Sequence, residues 1–357
     1  MASLIRSVAA AVTVLTLSGC ALNEIGLPET DSDLFGTLNG SGASSVASAQ
    51  EAWVASFQSL NPDVTINYDP TGSGTGRSQF FEGAVAFAQS DSYFKDEELE
   101  LASPNCAPGS GAWEIPVYIS PIAVLFNLEG IKSINLTPQS IAKIFTGEIK
   151  RWDHPELVES NPGIKLPDLG ITAVHRSDKS GTTGNFTDYL SQLAPEIWEA
   201  GKTEEWPSEY GGEGGNTTAG VIAALQANGT IGYADASRQG ELGAAALLVG
   251  DEFVNFTPER AAKLIDASEI ADGRPANSLA YKLNRKTDDP SVYPVALVTY
   301  LMGCNVYQNS ATGLLVREYA SYINSEAGQI AAQEFAGSSP ITETTREKNQ
   351  AVIEAIR

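Results

Sequence analysis

Three turns rich in serine, threonine and glycine are the parts of this sequence best suited to chemistry. They lie at residues 40–45 (Gly-Ser-Gly-Ala-Ser-Ser), 71–76 (Thr-Gly-Ser-Gly-Thr-Gly) and 176–183 (Arg-Ser-Asp-Lys-Ser-Gly-Thr-Thr), each before a stretch with helical spacing. A helix N-terminus carries unpaired N–H groups and about half a positive charge, so three directed at one point would bind an anion. Hydroxyls add donors, and glycine lets the backbone approach a small ligand closely. The turns therefore predict a site for a small tetrahedral oxyanion.

Two charged residues in or near these turns extend the prediction. Asp91, between Ser90 and Ser92, can accept a hydrogen bond only from an anion that still carries a proton. Arg176 can meet two oxygens of such an anion with its planar guanidinium group. Asp178 is the expected ion-pair partner that holds Arg176 in place. The alternative is an ordinary surface salt bridge, which would contribute about 0–1 kcal/mol.

The order and spacing of these segments resemble those of the PstS family, the phosphate-binding component of the high-affinity phosphate ABC importer. The resemblance extends from about residue 38 to residue 356. It rests on the turn at Gly40, Tyr68 with Gly72 and Ser73, Ser90 with Asp91, the motif Arg176-x-Asp178-x-Ser180-Gly181-Thr182, and the segments 145–153, 161–167, 206–216 and 231–233. None of these segments is specific alone, but their combination is.

The alternation of strand-like and helix-like stretches is typical of open α/β sheets, which bind ligands at the carboxyl ends of strands. Buried strands are predicted at residues 64–68, 117–125, 170–175, 230–233 and 295–302. Helices are predicted from Thr137 and Pro138 to a stop at Gly147, and over residues 217–227 and 310–335.

The resemblance adds the architecture: an α/β, two-lobe periplasmic-binding-protein-like fold with a ligand cleft between lobes joined by two crossover strands. It implies crossovers near residues 119–122 and 289–294. Lobe I would then comprise residues 34–119 and 294–357, and lobe II residues 120–293.

The resemblance also implies which residues bind phosphate. They are Ser44 through its hydroxyl, Ser45 through its backbone N–H, Ser73, Asp91, Arg176, Ser180, Gly181 and Thr182, with Asp178 in support. Two alternatives stay open, because Ser44 could only cap its own helix and Ser73 could only form its turn. Arg77, where many family members have a small or apolar residue, has no assigned role, and Lys179 is expected to be solvated. The glycine-rich loop 211–215 is either a surface turn or part of the cleft edge.

The first 19 residues have the pattern of a signal peptide. Arg6 supplies the positive charge, residues 8–17 the apolar stretch, and Leu17-Ser-Gly-Cys20 resembles a lipobox. We expect Cys20 to become the palmitate-bearing N-terminus of an exported bacterial lipoprotein on the cell membrane, followed by a flexible tether over residues 20–33. The alternative is ordinary signal cleavage with no role for Cys20.

The charge balance and the few cysteines and histidines exclude several function classes. With 22 basic and 44 acidic residues, the net charge of −22 excludes nucleic acid as a partner, because its phosphates need a basic face. Besides Cys20, only Cys106 and Cys304 are present, and in an exported protein they are expected to form one disulfide. His154 and His175 are isolated, so we predict no metal site, no cofactor and no serine nucleophile with a histidine base.

The resemblance therefore implies an extracytoplasmic, monomeric solute-binding protein, not an enzyme, that captures inorganic phosphate and delivers it to an ABC permease. The alternative is a carrier for another tetrahedral oxyanion, such as sulfate, molybdate or phosphite. Asp91 argues against sulfate, because sulfate is fully deprotonated and its oxygens would only repel a carboxylate.

Overall fold

The computed structural model describes residues 32–357, so the predicted signal peptide, Cys20 and the tether up to residue 31 lie outside the described residues. The strands are β1 (Gly36–Gly42), β2 (Val64–Asp69), β3 (Phe87–Ser90), β4 (Ala112–Phe126), β5 (Ser133–Leu136), β6 (Thr172–Arg176), β7 (Glu213–Gly215), β8 (Thr230–Asp235), β9 (Gly243–Val249), β10 (Glu252–Val254), β11 (Glu269–Ile270), β12 (Tyr281–Lys282) and β13 (Ala296–Cys304). The helices are α1 (Ala47–Leu60), α2 (Ser73–Phe81), α3 (Asp96–Leu99), α4 (Pro138–Phe145), α5 (Pro155–Ser160), α6 (Gly181–Leu193), α7 (Thr217–Ala224), α8 (Pro258–Asp266), α9 (Ser310–Asn324), α10 (Glu326–Ala336) and α11 (Glu343–Glu354).

Eleven of these strands form one curled, mixed sheet. Its order is β2-β1-β3-β13-β4-β8-β6-β7, and β9 also pairs with β4 and carries β5 and β10. Strand β1 is parallel to β2 and β3, and β6 is parallel to β7 and β8. The segments predicted to bind the anion directly follow β1, β2, β3 and β6, so the carboxyl ends of these strands carry the site.

Strand β4 passes from one lobe to the other. Its residues 112–121 pair with β13, and its residues 122–126 pair with β8, so the partner changes within the predicted crossover at 119–122. All of β4 except its first residue is buried, and so is all of β13. Strands covered on both faces are continuously apolar, which is why both were recognisable from sequence. The predicted α/β, two-lobe fold is confirmed.

Local signals predicted α4 well and the helix at 310–335 badly. Helix α4 begins after Thr137, whose Oγ1 accepts the N–H of Ser140 at 3.0 Å, and has proline in its first turn. The single helix predicted over 310–335 is wrong, because α9 and α10 are separated at Ser325. The extended backbone of Ser325 ends α9, and its Oγ accepts the N–H of Gly328 at 3.1 Å to cap α10. Helical periodicity continues through this break and so concealed it.

The predicted disulfide is confirmed. Cys106 and Cys304 are bonded and join the loop before β4 to the last residue of β13. Across residues 32–357, no helix combines the length and apolar character needed to span a membrane.

The segment between β11 and β12 packs on β4 because it neutralises a buried acid there. Glu114 of β4 is 0% exposed and accepts hydrogen bonds from Arg274, from the Ser278 hydroxyl and from the N–H of Phe94. A buried carboxylate without such partners would be costly. Arg274 and Ser278 fall in the range predicted for lobe II, yet these contacts are with the part of β4 that pairs with β13.

Candidate functional site

The first two turns lie side by side because their glycines allow the backbones to touch. Strand β1 ends at Gly42, whose φ is +141°, and a Cβ there would lie 1.9 Å from the carbonyl oxygen of Gln89. A Cβ on Gly76 would lie 2.3 Å from the Cα of Gly42. Only glycine permits both approaches, which bring the turn with Ser44 against the turn with Ser73.

Asp91, directly after β3, is the centre of a polar cluster that it forms with Ser45, Thr182 and Thr299. It is 3% exposed. The hydroxyl of Ser45 donates to both carboxylate oxygens at 2.8 Å, that of Thr182 donates to Oδ2 at 2.9 Å, and that of Thr299 donates to Oδ1 at 2.8 Å. Burial raises the pKa of Asp91 above its ordinary value, against the opposing effect of these hydrogen bonds and of the positive charge of Arg176. A donor from α6 thus meets the carboxylate that follows β3.

Two of these contacts differ from the sequence prediction. Thr299 was missed, although a single threonine within the buried, otherwise largely apolar strand β13 was a usable signal. Ser45 was expected to act through its backbone N–H, but the structure directs its hydroxyl to Asp91.

Gly181, at the start of α6, packs against Ser73 and Asp91. A Cβ there would lie 2.7 Å from both the Oγ of Ser73 and the Cβ of Asp91. The hydroxyl oxygen of Ser73 accepts the N–H of Asp91 at 3.1 Å, so Ser73, Asp91 and Gly181 meet at one point. The preceding residue, Ser180, caps α6 by accepting the N–H of Thr183 at 3.2 Å. The N-terminus of α6 is therefore directed at this point.

Arg176 and Asp178 form a buried ion pair rather than a surface salt bridge. Arg176 is 2% exposed, and its Nε and Nη2 donate to the two oxygens of Asp178 at 2.8 and 2.5 Å. Burial alone would raise the pKa of Asp178, but the hydrogen bonds and charge of Arg176, with the N–H of Thr217, lower that pKa below its ordinary value. A Cβ on Gly72 would lie 2.4 Å from Oδ2 of Asp178, so the pair lies against the second turn.

A fourth helix N-terminus, that of α7, reaches the cluster and was not predicted. The Oγ of Ser44 accepts the N–H of Thr218 at 3.0 Å and lies 2.9 Å from its Oγ1. The hydroxyl of Ser44 thus contacts α7, and α1 has no side-chain cap at Val46. Within residues 32–357, Thr217 is the only non-glycine residue with positive φ (+58°), and its N–H donates to Asp178 at 2.9 Å. Such backbone strain in a β-branched residue is typical of functional sites.

The glycine-rich loop 211–215 combines the two roles that were left open. Its first four residues are exposed, whereas Gly215 is buried and pairs with Arg176 as β7 joins β6. The loop therefore begins at the surface and ends by leading into α7.

The two remaining cations of the motifs are also placed. Arg77 is 1% exposed and donates to the Oγ of Ser90, next to Asp91, at 2.7 Å. Lys179, expected to be solvated, is only partly exposed, and its side chain lies against Gly74.

The cluster presents several hydrogen-bond donors close to one buried carboxylate. It offers hydroxyls, helix N-termini and the Arg176 guanidinium as donors, around the buried carboxylate of Asp91. In the described part of the chain, no group of histidine, cysteine, aspartate and glutamate side chains could hold a metal ion. A carboxylate among so many donors suits an anion that carries a proton of its own.

Another buried carboxyl group, Asp235, lies beside the predicted crossover at residues 119–122. It ends β8 opposite Ile122 of β4, and it accepts hydrogen bonds from the Tyr118 hydroxyl at 3.3 Å and the Ser237 N–H at 3.0 Å. Burial raises the pKa of Asp235 from 3.8 to about 6, and the negative charge of Asp91 acts in the same direction.

The raised pKa of Asp235 predicts a pH effect on stability. The Asp235 carboxyl binds its proton more tightly in the folded chain than in the unfolded chain. Its contribution to the free energy of unfolding is therefore fully present below the ordinary pKa of 3.8 and is lost as pH rises through about 6. Between about pH 5 and about pH 7.5, the free energy of unfolding should fall in both proteins. We expect the fall in Asp235→Asn to be smaller than the fall in the wild type by about 1 kcal/mol. Urea denaturation at both pH values measures this. An exposed control, Asp63→Asn, should keep the wild-type slope, and a wild-type slope in Asp235→Asn would contradict the assignment.

Comparisons with known proteins relate the chain to others by sequence and by fold. Residues 28–327 match the family model described as a PBP superfamily domain. The phosphate-binding protein PstS2 of Mycobacterium bovis (strain BCG / Pasteur 1173P2) is 31% identical over 329 residues, covering 89% of this chain and 87% of that protein. The structure of a high-affinity periplasmic phosphate-binding protein (PfluDING) with bound phosphate has a TM-score of 0.69 at 20% identity, covering 88% of this chain and 93% of that one. A phosphate-binding protein from Stenotrophomonas maltophilia has a TM-score of 0.62 at 20% identity, with the same coverages.

Proposed function

Since this chain belongs to the PstS family of phosphate-binding proteins, within the PBP superfamily, we propose that it captures inorganic phosphate outside the cytoplasm and delivers it to an ABC importer. It acts by binding and release and is not an enzyme. The observation that supports phosphate most directly is the buried carboxylate of Asp91 among hydroxyl donors from both lobes. Monobasic and dibasic phosphate each carry a proton that Asp91 can accept in a hydrogen bond, while the surrounding donors bind the other oxygens.

The proposed ligand contacts are those that the family resemblance implies. They are Ser44, Ser45, Ser73, Asp91, Arg176, Ser180, Gly181 and Thr182, with Asp178 orienting Arg176. The hydroxyls of Ser45 and Thr182 donate to Asp91, so a bound anion would share or replace these hydrogen bonds.

The proposed lobes divide the site, so that neither half satisfies the anion alone. Lobe I consists of residues 34–119 and 294–357, with residues 274–281 packed on its strand β4, and lobe II consists of the rest of residues 120–293. A ligand that bridges the lobes stabilises only the closed form, which couples capture to a shape that a permease can recognise.

The proposed location is the extracytoplasmic face of the cell membrane, with a lipid anchor at Cys20 and a monomeric binding domain. The net charge of −22 does not oppose anion capture. Exposed charges are screened within about 8–10 Å in physiological salt, whereas a closed site is governed by its own helix termini and arginine.

A ligand panel tests the proposal. We expect inorganic phosphate, at about 100 to 1,000 times its Kd, to raise the free energy of unfolding by roughly 3–4 kcal/mol, seen as a higher Tm. Sulfate, molybdate, phosphite and a phosphomonoester should give smaller shifts at the same concentration. Arg176→Gln serves as the control and should lose most of the phosphate shift. A shift with another anion and none with phosphate would reject the proposal.

A further inference from the structure

Arg77 is a buried cation with no role among the proposed phosphate-binding residues. It lies in the second turn of α2, the helix opened by Ser73, and its side chain is 1% exposed. Its Nε donates to Glu98 at 3.1 Å, and its Nη1 donates to the Oγ of Ser90 at 2.7 Å. Both partners belong to the proposed lobe I, so the Glu98 carboxylate already gives Arg77 one ion pair within its own lobe.

Its remaining partner, Glu204, belongs to lobe II. Nη1 and Nη2 of Arg77 donate to Oε1 and Oε2 of Glu204 at 3.1 and 2.7 Å, which is a bidentate ion pair across the lobe boundary. The Glu204 side chain is 9% exposed. Burial by itself would raise the pKa of Glu204, but the charge and hydrogen bonds of Arg77 lower that pKa below its ordinary value.

Each end of this ion pair also contacts a proposed phosphate-binding residue or the residue next to one. The carbonyl oxygen of Glu204 accepts the N–H of Ser180, the cap of α6, at 2.9 Å. The Oγ of Ser90 accepts the N–H of Ser92 at 3.1 Å and donates to its carbonyl oxygen at 2.6 Å, so this loop encloses Asp91. Arg77 thus connects the segment that holds Asp91 to the residue that opens the anion-facing helix of lobe II.

We propose that Arg77 is an interlobe positioning residue, whose ion pair with Glu204 forms only when the lobes close and retains the bound anion by aligning Asp91 with Ser180. This inference rests on the proposed function. In an open form both groups of the pair face water and lose little, whereas in the closed form each is buried and needs the other. The pair therefore contributes to the closed state alone, and its loss should act on release of the anion.

Glu204→Gln is the sharpest test because it removes the charge, keeps the shape and leaves the lobe I partners of Arg77 intact. We expect the dissociation rate of inorganic phosphate, measured by stopped flow on the mature chain, to rise by at least about tenfold. The association rate should stay within about twofold, since capture precedes closure. The Tm of the ligand-free protein should be unchanged, which separates this role from a structural one.

Two comparisons complete the test. Glu205→Gln is the matched control, because its exposed neighbouring carboxylate has no ion pair among residues 32–357. A double-mutant cycle combines Glu204→Gln with Arg77→Gln. The double variant should release phosphate no faster than the faster single variant, because both substitutions remove the same ion pair.

Each outcome decides a different point. Equal dissociation rates for Glu204→Gln and Glu205→Gln, with phosphate bound by the wild type, would overturn the inference and leave the proposed function standing. Multiplying effects in the double variant would also overturn it. A wild-type protein that does not bind phosphate would reject the proposed function and the inference with it.

Discussion

An Asp91→Asn variant is expected to retain phosphate binding but to narrow the phosphate-to-sulfate affinity ratio by at least about tenfold, or roughly 1.4 kcal/mol. The Asp91 carboxylate is buried and can accept a hydrogen bond from the protonated oxygen of phosphate. Sulfate has no proton to donate, and its negative charge would be repelled by that of Asp91. A hydrogen bond to a charged group contributes about 1.5–3 kcal/mol, and an unpaired buried charge costs more, so both effects act against sulfate. Asparagine removes the repulsion and adds a donor.

Titration calorimetry with both anions measures this ratio. Thr299→Val is a suitable control, because it removes one hydroxyl donor to Asp91 while keeping the negative charge. It should weaken binding of both anions and leave their ratio close to that of the wild type. If Asp91→Asn also leaves the ratio unchanged, Asp91 does not determine selectivity and the proposed contact set is wrong at its centre.

Removing the disulfide is expected to lower the free energy of unfolding by about 2–5 kcal/mol. Cys106 and Cys304 are 198 residues apart in sequence, so the bond closes a long loop and restricts the unfolded chain strongly. Both cysteines are buried, which adds a packing cost when they are replaced. Denaturant unfolding of a Cys106→Ser/Cys304→Ser variant, compared with the oxidised wild type, gives the difference.

Reductant supplies the control for this measurement. It should destabilise the wild type towards the level of the double variant and should not affect the double variant. Phosphate affinity should change little, because Cys304 ends β13 five residues beyond Thr299, which places the bond about 16 Å along the strand from that hydroxyl. Equal stability of the oxidised wild type and the double variant would show that the bond does not stabilise this fold.

The sequence by itself determined the features that depend on neighbouring residues. The Ser/Gly/Thr segments lead into α1, α2 and α6, although α2 and α6 already begin inside them, at Ser73 and Gly181, and the apolar runs form β4 and β13. Capping, helical periodicity and continuous burial act over a few residues, so they can be read directly. The resemblance then indicated the family and the two-lobe fold, because an ordered set of motifs carries long-range information that no single motif does. The disulfide followed from two remaining cysteines in a chain expected to be exported.

Only the tertiary structure decided which distant side chains meet. Thr299 donates to Asp91 across 208 positions of sequence, Ser44 contacts Thr218 across 174, and Arg77 pairs with Glu204 across 127. No local signal encodes such contacts, because each depends on how segments far apart in sequence pack together after they have formed. An isolated hydroxyl or carboxylate also looks the same in sequence whether it faces water or a buried partner. The physical reason is that burial, which makes a charge such as Arg77 need a specific partner, is a property of the folded chain and not of its neighbours in sequence.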